Sequence, residues 1–467
     1  MRVSVTSSEL VAALKGAWAG DPPRAPLLWL NAGTDSRKIL PGEVFVALRG
    51  ARSDGHDHLP EATSKGAVLA VVERPVLSVQ IPQIVVSDTT VALKEMAVLA
   101  LAAHRAAGHR LIALTGSVGK TTTRELLRAG LPPGESHGSA GNENNEIGVP
   151  LTILSWSENC RWCVLEAGVR KPGDMDYLAP LLSSDIGIVT AIAPGHLENL
   201  GSVRDVWREK SKLLREVVEG GVRILPASVA RGETMAMLLS DKSRHLKTVS
   251  LDGDESAEFR GRLLESPGGL VLEVEKMELS LPLPWPSAAI GWCMLIALAA
   301  LEEERIDLVA AAKRLTSYQG FPGRMEKRTH SSGLLLLLDH YNANPASMTE
   351  ALDWLKRETG LRRGGNGFAI LGDMLELGEE SGAFHEEMGR KAASLKIKTL
   401  WYRGEHLADF LRGYLREGGI KESVRPASDF EKDLEKGLGP GSKDVVLVKG
   451  SRGMKLEEVV APLLEGK

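Results

Sequence analysis

The sequence predicts an α/β protein of three domains, and three observations carry that expectation. Apolar runs of strand length alternate with helix-length stretches through most of the 467 residues. That alternation builds sheets of mostly parallel strands covered by helices. One such run leads straight into a glycine-rich turn and a helix start, Leu111 to Leu127, LIALTGSVGKTTTRELL. A chain this long also suggests several domains. The turn-rich SYQGFPG segment, Ser317 to Gly323, marks one boundary. The expected division is 1–105, a small α/β domain; 106–318, a central parallel-sheet domain; and 319–467, a second nucleotide-fold-like domain.

Composition narrows the class of function. The formal net charge is −4, so no basic excess argues for nucleic acid. No polybasic run suggests a membrane surface. The longest apolar run, Ala289 to Leu301, is too short to span a bilayer and reads as a buried helix. The opening MRVSVTSSELVAALKGAW lacks a long apolar core, so no secretory signal is expected there. Only three cysteines are present, Cys160, Cys163 and Cys293, which fits a reducing cytoplasm. Cys160 and Cys163 form a C-x-x-C without a second pair, and read as thiols in or beside a buried strand.

In chain order, Ser7 or Ser8 is expected to cap a helix ending at Leu14. Val44 to Leu48 and Ala67 to Val72 read as strands, with a helix from Leu59 to Lys65 between them. Asp35-Ser36-Arg37 and Asp54-Gly55-His56 are polar clusters of turn-forming residues. A helix from Val91 to Ala103 leads to the strand Leu111 to Leu114. The turn after that strand, Thr115 to Thr122, has the makings of an anion site. Backbone N–H groups of this loop, which carries Gly116, Ser117 and Gly119, are expected to point inward, the helix dipole favours negative charge, and Lys120 adds a full cation. Thr121 stands where such loops place a Mg²⁺-binding hydroxyl, with Thr122 beside it. The helix is expected to take shape by Arg124 to Arg128.

The strand Trp162 to Leu165 ends in Glu166, and the strand Ile186 to Thr190 runs into a loop carrying His196. All these polar groups leave the C-terminal ends of strands, the edge where open parallel sheets bind ligands. Asn142, Asn144 and Asn145 crowd one turn and could hold a polar substrate. Ser202 to Val217 reads as one helix, on which Lys210 taken alone is a solvated lysine. Residues 250–285 look strand-rich, and Ala288 to Leu301 is helical. The uniform strand Leu334 to Leu338 ends in Asp339, Tyr341 and Asn342, ahead of a helix from about Ser347 to Lys356. Phe368 to Leu371 ends in Gly372-Asp373-Met374, a helix runs through His385 to Ala393, and Val445 to Val448 ends in Lys449.

Taken together, these segments resemble the Mur ligases. The resemblance rests on DSRKILPGEVFVAL and DGH, TGSVGKTTT, GNENNEIGVPLTIL, LEAG, PGHLENLGS followed by Lys210, FPGR, DHYNANPASM, LGDMLELGEES and VKGSRG. The YNANP and GDMLELG segments are similar to the branch that adds a D-alanyl-D-alanine dipeptide. The resemblance implies a UDP-precursor-binding first domain, a central ATPase domain and a Rossmann-like third. It implies a cytoplasmic enzyme that uses ATP and Mg²⁺, with two metal ions expected, to join D-alanyl-D-alanine to UDP-N-acetylmuramoyl-tripeptide through an acyl phosphate. A monomer is expected. Another Mur-type or folylpolyglutamate-like ligase, or a nucleotide-binding protein without ligase chemistry, are the alternatives.

What the resemblance implies for single residues follows its motifs. Lys120 would contact the β- and γ-phosphates. Thr121 and Glu166 would hold one metal ion, and His196 a second. Lys210 matches a lysine that relatives carbamoylate, which reverses the bland reading of that residue. Arg324, Asp339, Tyr341 and Asn342 would reach the nucleotide from the third domain. Ser36 and Arg37 would lie near the uridine, and Asn142, Asn144 and Asn145 on the substrate side. Three departures stand out: Pro226-Ala227-Ser228 where relatives carry Asn-x-Asp-Asp, Ser287 and Gly291 where they carry His and Asn, and Leu338 where an Asp is common. The first two fall on the adenine side.

Overall fold

The structure, a computed structural model, describes residues 4–22, 27–28, 31–50, 53–139, 141, 143–229, 238, 240–251, 253–277, 279–362, 364–436 and 440–464. These residues form three α/β bodies, each built on its own sheet. The first has five strands in the order Ala17–Ala19, Gln83–Val85, Leu69–Val72, Val44–Val46, Ala32–Gly33. Its helix Ser7–Leu14 is capped by Thr6, not by Ser7 or Ser8. Thr6 has the extended backbone a cap needs, and Glu9 three residues on closes a capping box with it.

The middle sheet has nine strands among the described residues. Ser136–Gly138, Trp162–Glu166, Arg110–Thr115, Ile186–Val189, Val222–Pro226 and His245–Ser250 run parallel in that order, and Phe259–Ser266 continues them. Successive side chains of Arg110–Thr115 divide between two cores, as strand geometry requires. Ile112 and Leu114 join Leu126, Leu127 and the helix Ala288–Glu303. Leu111 and Ala113 join the helices Thr89–Ala106 and Gly148–Leu154. The strand-rich stretch then turns antiparallel, adding Gly269–Val274 and Leu279–Pro282. Its Leu272, Val274 and Leu281 pack into the core that holds Ala288–Glu303, which suits a helix apolar on every side.

The third sheet is ordered Glu326–Thr329, Leu335–Leu338, Val445–Lys449, Gly367–Gly372, Thr399–Arg403, Val424–Pro426. Only its first strand is antiparallel. One core crosses from the middle body into this one. Trp285 lies 5.7 Å from Tyr318 and 6.1 Å from Trp354, ring centre to ring centre, and Leu335, Leu337, Ala351 and Leu355 belong to the same cluster.

Several expected elements are corrected. The phosphate-loop helix starts at Lys120 and runs to Gly130, four residues ahead of Arg124. The single helix expected over 202–217 is two, Val203–Lys210 and Lys212–Arg215. The break falls at Ser211, whose hydroxyl donates to the Arg208 carbonyl at 3.2 Å, a local bond that competes with helix continuation. Pro345–Leu361 begins at a proline behind the Asn344 cap. All three cysteines are free: Cys163 is buried in its strand, Cys160 precedes it, and Cys293 is buried in Ala288–Glu303. Among the described residues, no helix is long and apolar enough to cross a membrane.

His104 ties the first helix layer to the middle body. Its ring stacks on Trp156 at 4.3 Å, and its Nδ1 lies 2.9 Å from Nδ1 of His109. Burial, with the charge of His109 adding, pushes the imidazole from 6.5 down to about 4. The unfolded chain therefore takes up this proton first as pH falls. The site's stability is intact above pH 6.5 and is lost towards pH 4, by about 3 kcal/mol. Urea unfolding of His104→Phe, which keeps a stacked ring without the titration, should lose less stability over that window than the parent chain.

Candidate active site

The phosphate loop has its shape because two glycines sit where no side chain fits. Gly116 has φ +154, and a Cβ there would lie 2.1 Å from Thr190 Oγ1. Gly119 has φ +82, and its Cβ would sit 3.1 Å from Cys293 Sγ. The loop is tied to the neighbouring strand end: Ser117 N donates to the Ala191 carbonyl at 2.8 Å and Ser117 Oγ to the Ala193 carbonyl at 2.9 Å. Trp292 Nε1 donates to the Thr190 carbonyl at 2.8 Å. Gly119 caps the helix without a side chain, which leaves first-turn N–H groups free for an anion.

Behind the loop lies a buried carboxylate. Glu166 is 0% exposed. Its Oε2 accepts from Thr121 Oγ1 at 2.8 Å and lies 3.5 Å from Arg124 Nη1, while Oε1 accepts from Asn144 Nδ2 at 2.9 Å. Burial works to raise this carboxyl, but Lys120, Arg324 and Arg124 outweigh it and hold it below its ordinary value. Lys120 donates to the Gly116 carbonyl at 2.8 Å, and burial lowers its basicity. Lys210 closes the helix Val203–Lys210 and is 1% exposed. Burial, and then the charge of Lys120, push its amine well below the ordinary lysine value. Next to it, Glu209 accepts from Gly173 N and Met175 N, both at 3.0 Å. His196 begins a one-turn helix at φ 56, with Nδ1 2.5 Å from Glu376 Oε2 of the third body.

The third body supplies the facing wall. Arg324 lies 3.9 Å over the Tyr341 ring. Asp339 Oδ2 accepts from Lys449 Nζ at 2.6 Å, and Lys449 also donates to the Asn342 carbonyl at 2.9 Å. The two walls enclose a cavity of about 440 Å³, a size suited to one small-molecule ligand. Of the sequence-predicted residues, Ser117, Gly119, Lys120, Thr122, Asn144, Glu166, His196, Arg324, Asp339, Tyr341 and Asn342 line it. Thr121 and Lys210 stand behind that lining, as do Thr115 and Gly116. Asn145 Oδ1 accepts from Gly148 N at 2.9 Å and so closes the entry to a helix. Asn142 lies outside the described residues. Ser36 and Arg37 are in the first body: Ser36 Oγ donates to Glu61 at 2.6 Å, and the exposed Arg37 pairs with Asp35 at 2.8 and 2.9 Å.

Three residues in or beside the lining were assigned no role from the sequence. Lys449 follows the same strand-end rule as Glu166, and the structure brings it to the cavity wall. Arg124, 0% exposed, could have been noticed as a charge facing inward on the loop helix. Glu350 sits in mid-helix and gave no signal. Its Oε1 accepts from Ser287 Oγ at 2.8 Å and from Ala289 N at 3.1 Å. This arrangement gives two of the departures a physical basis. Ser287 caps the helix Ala288–Glu303. A Cβ at Gly291 would lie 2.7 Å from a Leu263 methyl, so a larger residue there requires that side chain to move. Leu338 is buried among apolar neighbours.

Comparison with known proteins gives consistent matches. Three family models match: Mur ligase family, catalytic domain, at residues 31–112; Mur ligase middle domain at 114–299; and Mur ligase, glutamate ligase domain, at 323–452. The UDP-N-acetylmuramoyl-tripeptide–D-alanyl-D-alanine ligase of Escherichia coli (strain K12) is 30% identical, over 99% of this chain and 99% of that protein. The ligase of the same name from Bacillus subtilis (strain 168) is 32% identical over 93% of each. Among solved structures, MurF from Acinetobacter baumannii superposes with a TM-score of 0.84 at 27% identity, covering 99% of both chains.

One stability consequence follows from the loop. Lys120→Met removes a desolvated cation, so a fluorescent nucleotide should bind at least ~100-fold more weakly while the melting temperature changes by less than about 3 °C. A large drop in melting temperature would assign the lysine a structural role instead.

Proposed function

The chain belongs to the Mur ligase family, and we propose that it joins D-alanyl-D-alanine to UDP-N-acetylmuramoyl-tripeptide at the expense of ATP. The observation that carries this reading is the single cavity in which a phosphate loop with Lys120 and Glu166 faces Arg324 and Tyr341 of another body. ATP and a substrate carboxylate are both anions, so bringing them together needs fixed cations on both sides. The first body, 1–105, would take the UDP end of the precursor with Ser36 and Arg37 near the uridine; 106–318 would take ATP; and 319–467 would close on it. Asn144, with Asn142 and Asn145 close to it in sequence, lies on the substrate side. The reaction would run in the cytoplasm, where ATP is supplied, in a monomer.

The chemistry divides into two steps. The peptide carboxylate oxygen attacks the γ-phosphorus and ADP leaves, giving an acyl phosphate. The dipeptide amine then attacks the acyl carbon, losing a proton, and inorganic phosphate leaves. Loop N–H groups and Lys120 hold the β- and γ-phosphates. Arg324, steadied on the Tyr341 ring, meets them from the far wall with Asp339 and Asn342. Buried oxygen donors on Thr121 and Glu166 fit Mg²⁺, which favours hard oxygen ligands, and His196 would hold a second ion. Such cations would neutralise the charge of the transferring phosphoryl group. The Lys210 amine is buried, and that burial lowers its basicity; the neutral form of such an amine adds CO₂ to give a carbamate and a proton. The resulting anion would sit near Lys120 and give that cation an opposing charge.

ADP should appear only when UDP-N-acetylmuramoyl-tripeptide, D-alanyl-D-alanine and Mg²⁺ are all present; equal turnover with a single amino acid in place of the dipeptide would sink the assignment. Lys210→Ala should lose at least ~100-fold in kcat and recover part of it on adding short-chain carboxylates. No recovery would remove the carbamate from the reading.

A further inference from the structure

His196 and Glu376 meet across the junction of the middle and third bodies. Both are non-glycine residues with left-handed backbones, φ 56 and φ 63, a conformation that costs energy and persists only where surroundings enforce it. The enforcement is visible on both sides. On the third body, Met374 N donates to His385 Nε2 and Leu375 N to Ser451 Oγ, each at 2.9 Å. His385 is itself oriented, with Nδ1–H donating to the Ser381 carbonyl at 2.7 Å. Asp373, just before, accepts from Tyr402 and from Glu405 N at 2.8 and 2.7 Å. On the middle body, Glu198 N donates to the Glu376 carbonyl at 3.4 Å. The Glu376 carboxylate is thus delivered to His196 Nδ1 at 2.5 Å by a braced turn.

We propose that Glu376 is a positioning residue for the cation site at His196: its carboxylate, 2.5 Å from Nδ1, favours the tautomer with the proton on Nδ1 and so leaves Nε2 as the lone-pair nitrogen of a side chain that lines the cavity. The proposal rests on the reading of His196 as a metal ligand. An imidazole has one proton to give while neutral, and a carboxylate at Nδ1 decides where it sits. Carboxylates behind metal-binding histidines set ring orientation and strengthen the ligand. Here that carboxylate comes from a different body than the histidine. The cation site is therefore complete only when the third body is docked, which couples docking to metal binding.

The test uses the full chain with a non-hydrolysable ATP analogue, titrated with Mn²⁺ and read by electron paramagnetic resonance. Glu376→Ala should weaken binding of one Mn²⁺ by about 10-fold or more, as His196→Ala should. Glu376→Gln, whose amide oxygen still accepts from Nδ1–H, should recover most of it. Small-angle scattering of each variant should match the parent, because the shared apolar core keeps the bodies docked. If His196→Ala weakens Mn²⁺ binding and Glu376→Ala does not, the inference fails and the reading of His196 stands. If His196→Ala has no effect, that reading fails and the inference with it. Loss in Glu376→Ala that comes only with an expanded scattering profile also overturns the proposal.

Discussion

A carboxylate removed entirely from water is the constraint on which the rest of this architecture depends. An ionised Glu166 without partners would cost several kcal/mol. Its oxygens are answered by the Thr121 hydroxyl, the Asn144 amide and the Arg124 guanidinium. Those partners come from the loop helix and from the asparagine turn, so one anion fixes the relative places of two segments far apart in sequence. The pairing of Glu166 with Leu114 across adjacent parallel strands puts the carboxylate level with the start of the loop. Slipping that register by one residue would turn the side chain to the opposite face.

Around this anion the cleft carries an excess of positive charge. Lys120, Lys210, Arg124 and Arg324 all bear on Glu166, while Asp339 is already paired with Lys449, and burial lowers the basicity of both Lys120 and Lys210. Such a site is unfavourable while it holds no anion, and the fold bears the cost in its cores. The apolar cluster running through Trp285, Tyr318 and Trp354 does so directly, because it holds the third body against the middle one. Destabilised charge and stabilising core belong to the same interface, an arrangement expected where binding and stability compete.

The strands and the residues at their ends were legible in the sequence, because a fully covered parallel strand is a plain apolar run. Lys120, Glu166, His196 and Asp339 were found by that rule. Helix starts were less legible. Gly119 caps without a side chain, so nothing in the sequence marks Lys120 as the first helical residue. The break at Ser211 depends on one hydroxyl choosing a backbone carbonyl. Burial was least legible of all: Lys210 looks solvated until the turn carrying Gly173 and Met175 is folded over Glu209 beside it. Asn144 and Asn145 are adjacent and chemically identical, yet one binds Glu166 and the other closes a helix entry. Gly291 reads as a loss until Leu263 is seen filling the space.

Cys293 lies under the glycine-rich loop and lines the cavity between the middle and third bodies, where it could be mistaken for a handle for covalent inhibitors. Burial pushes its thiol up to about 11. At neutral pH roughly one molecule in ten thousand would then carry the reactive thiolate. An electrophile delivered to this pocket meets a group that behaves as a small hydrocarbon. The same burial protects the loop from oxidants: added oxygen on that sulfur would press on Gly119, where even a Cβ would lie 3.1 Å from the sulfur.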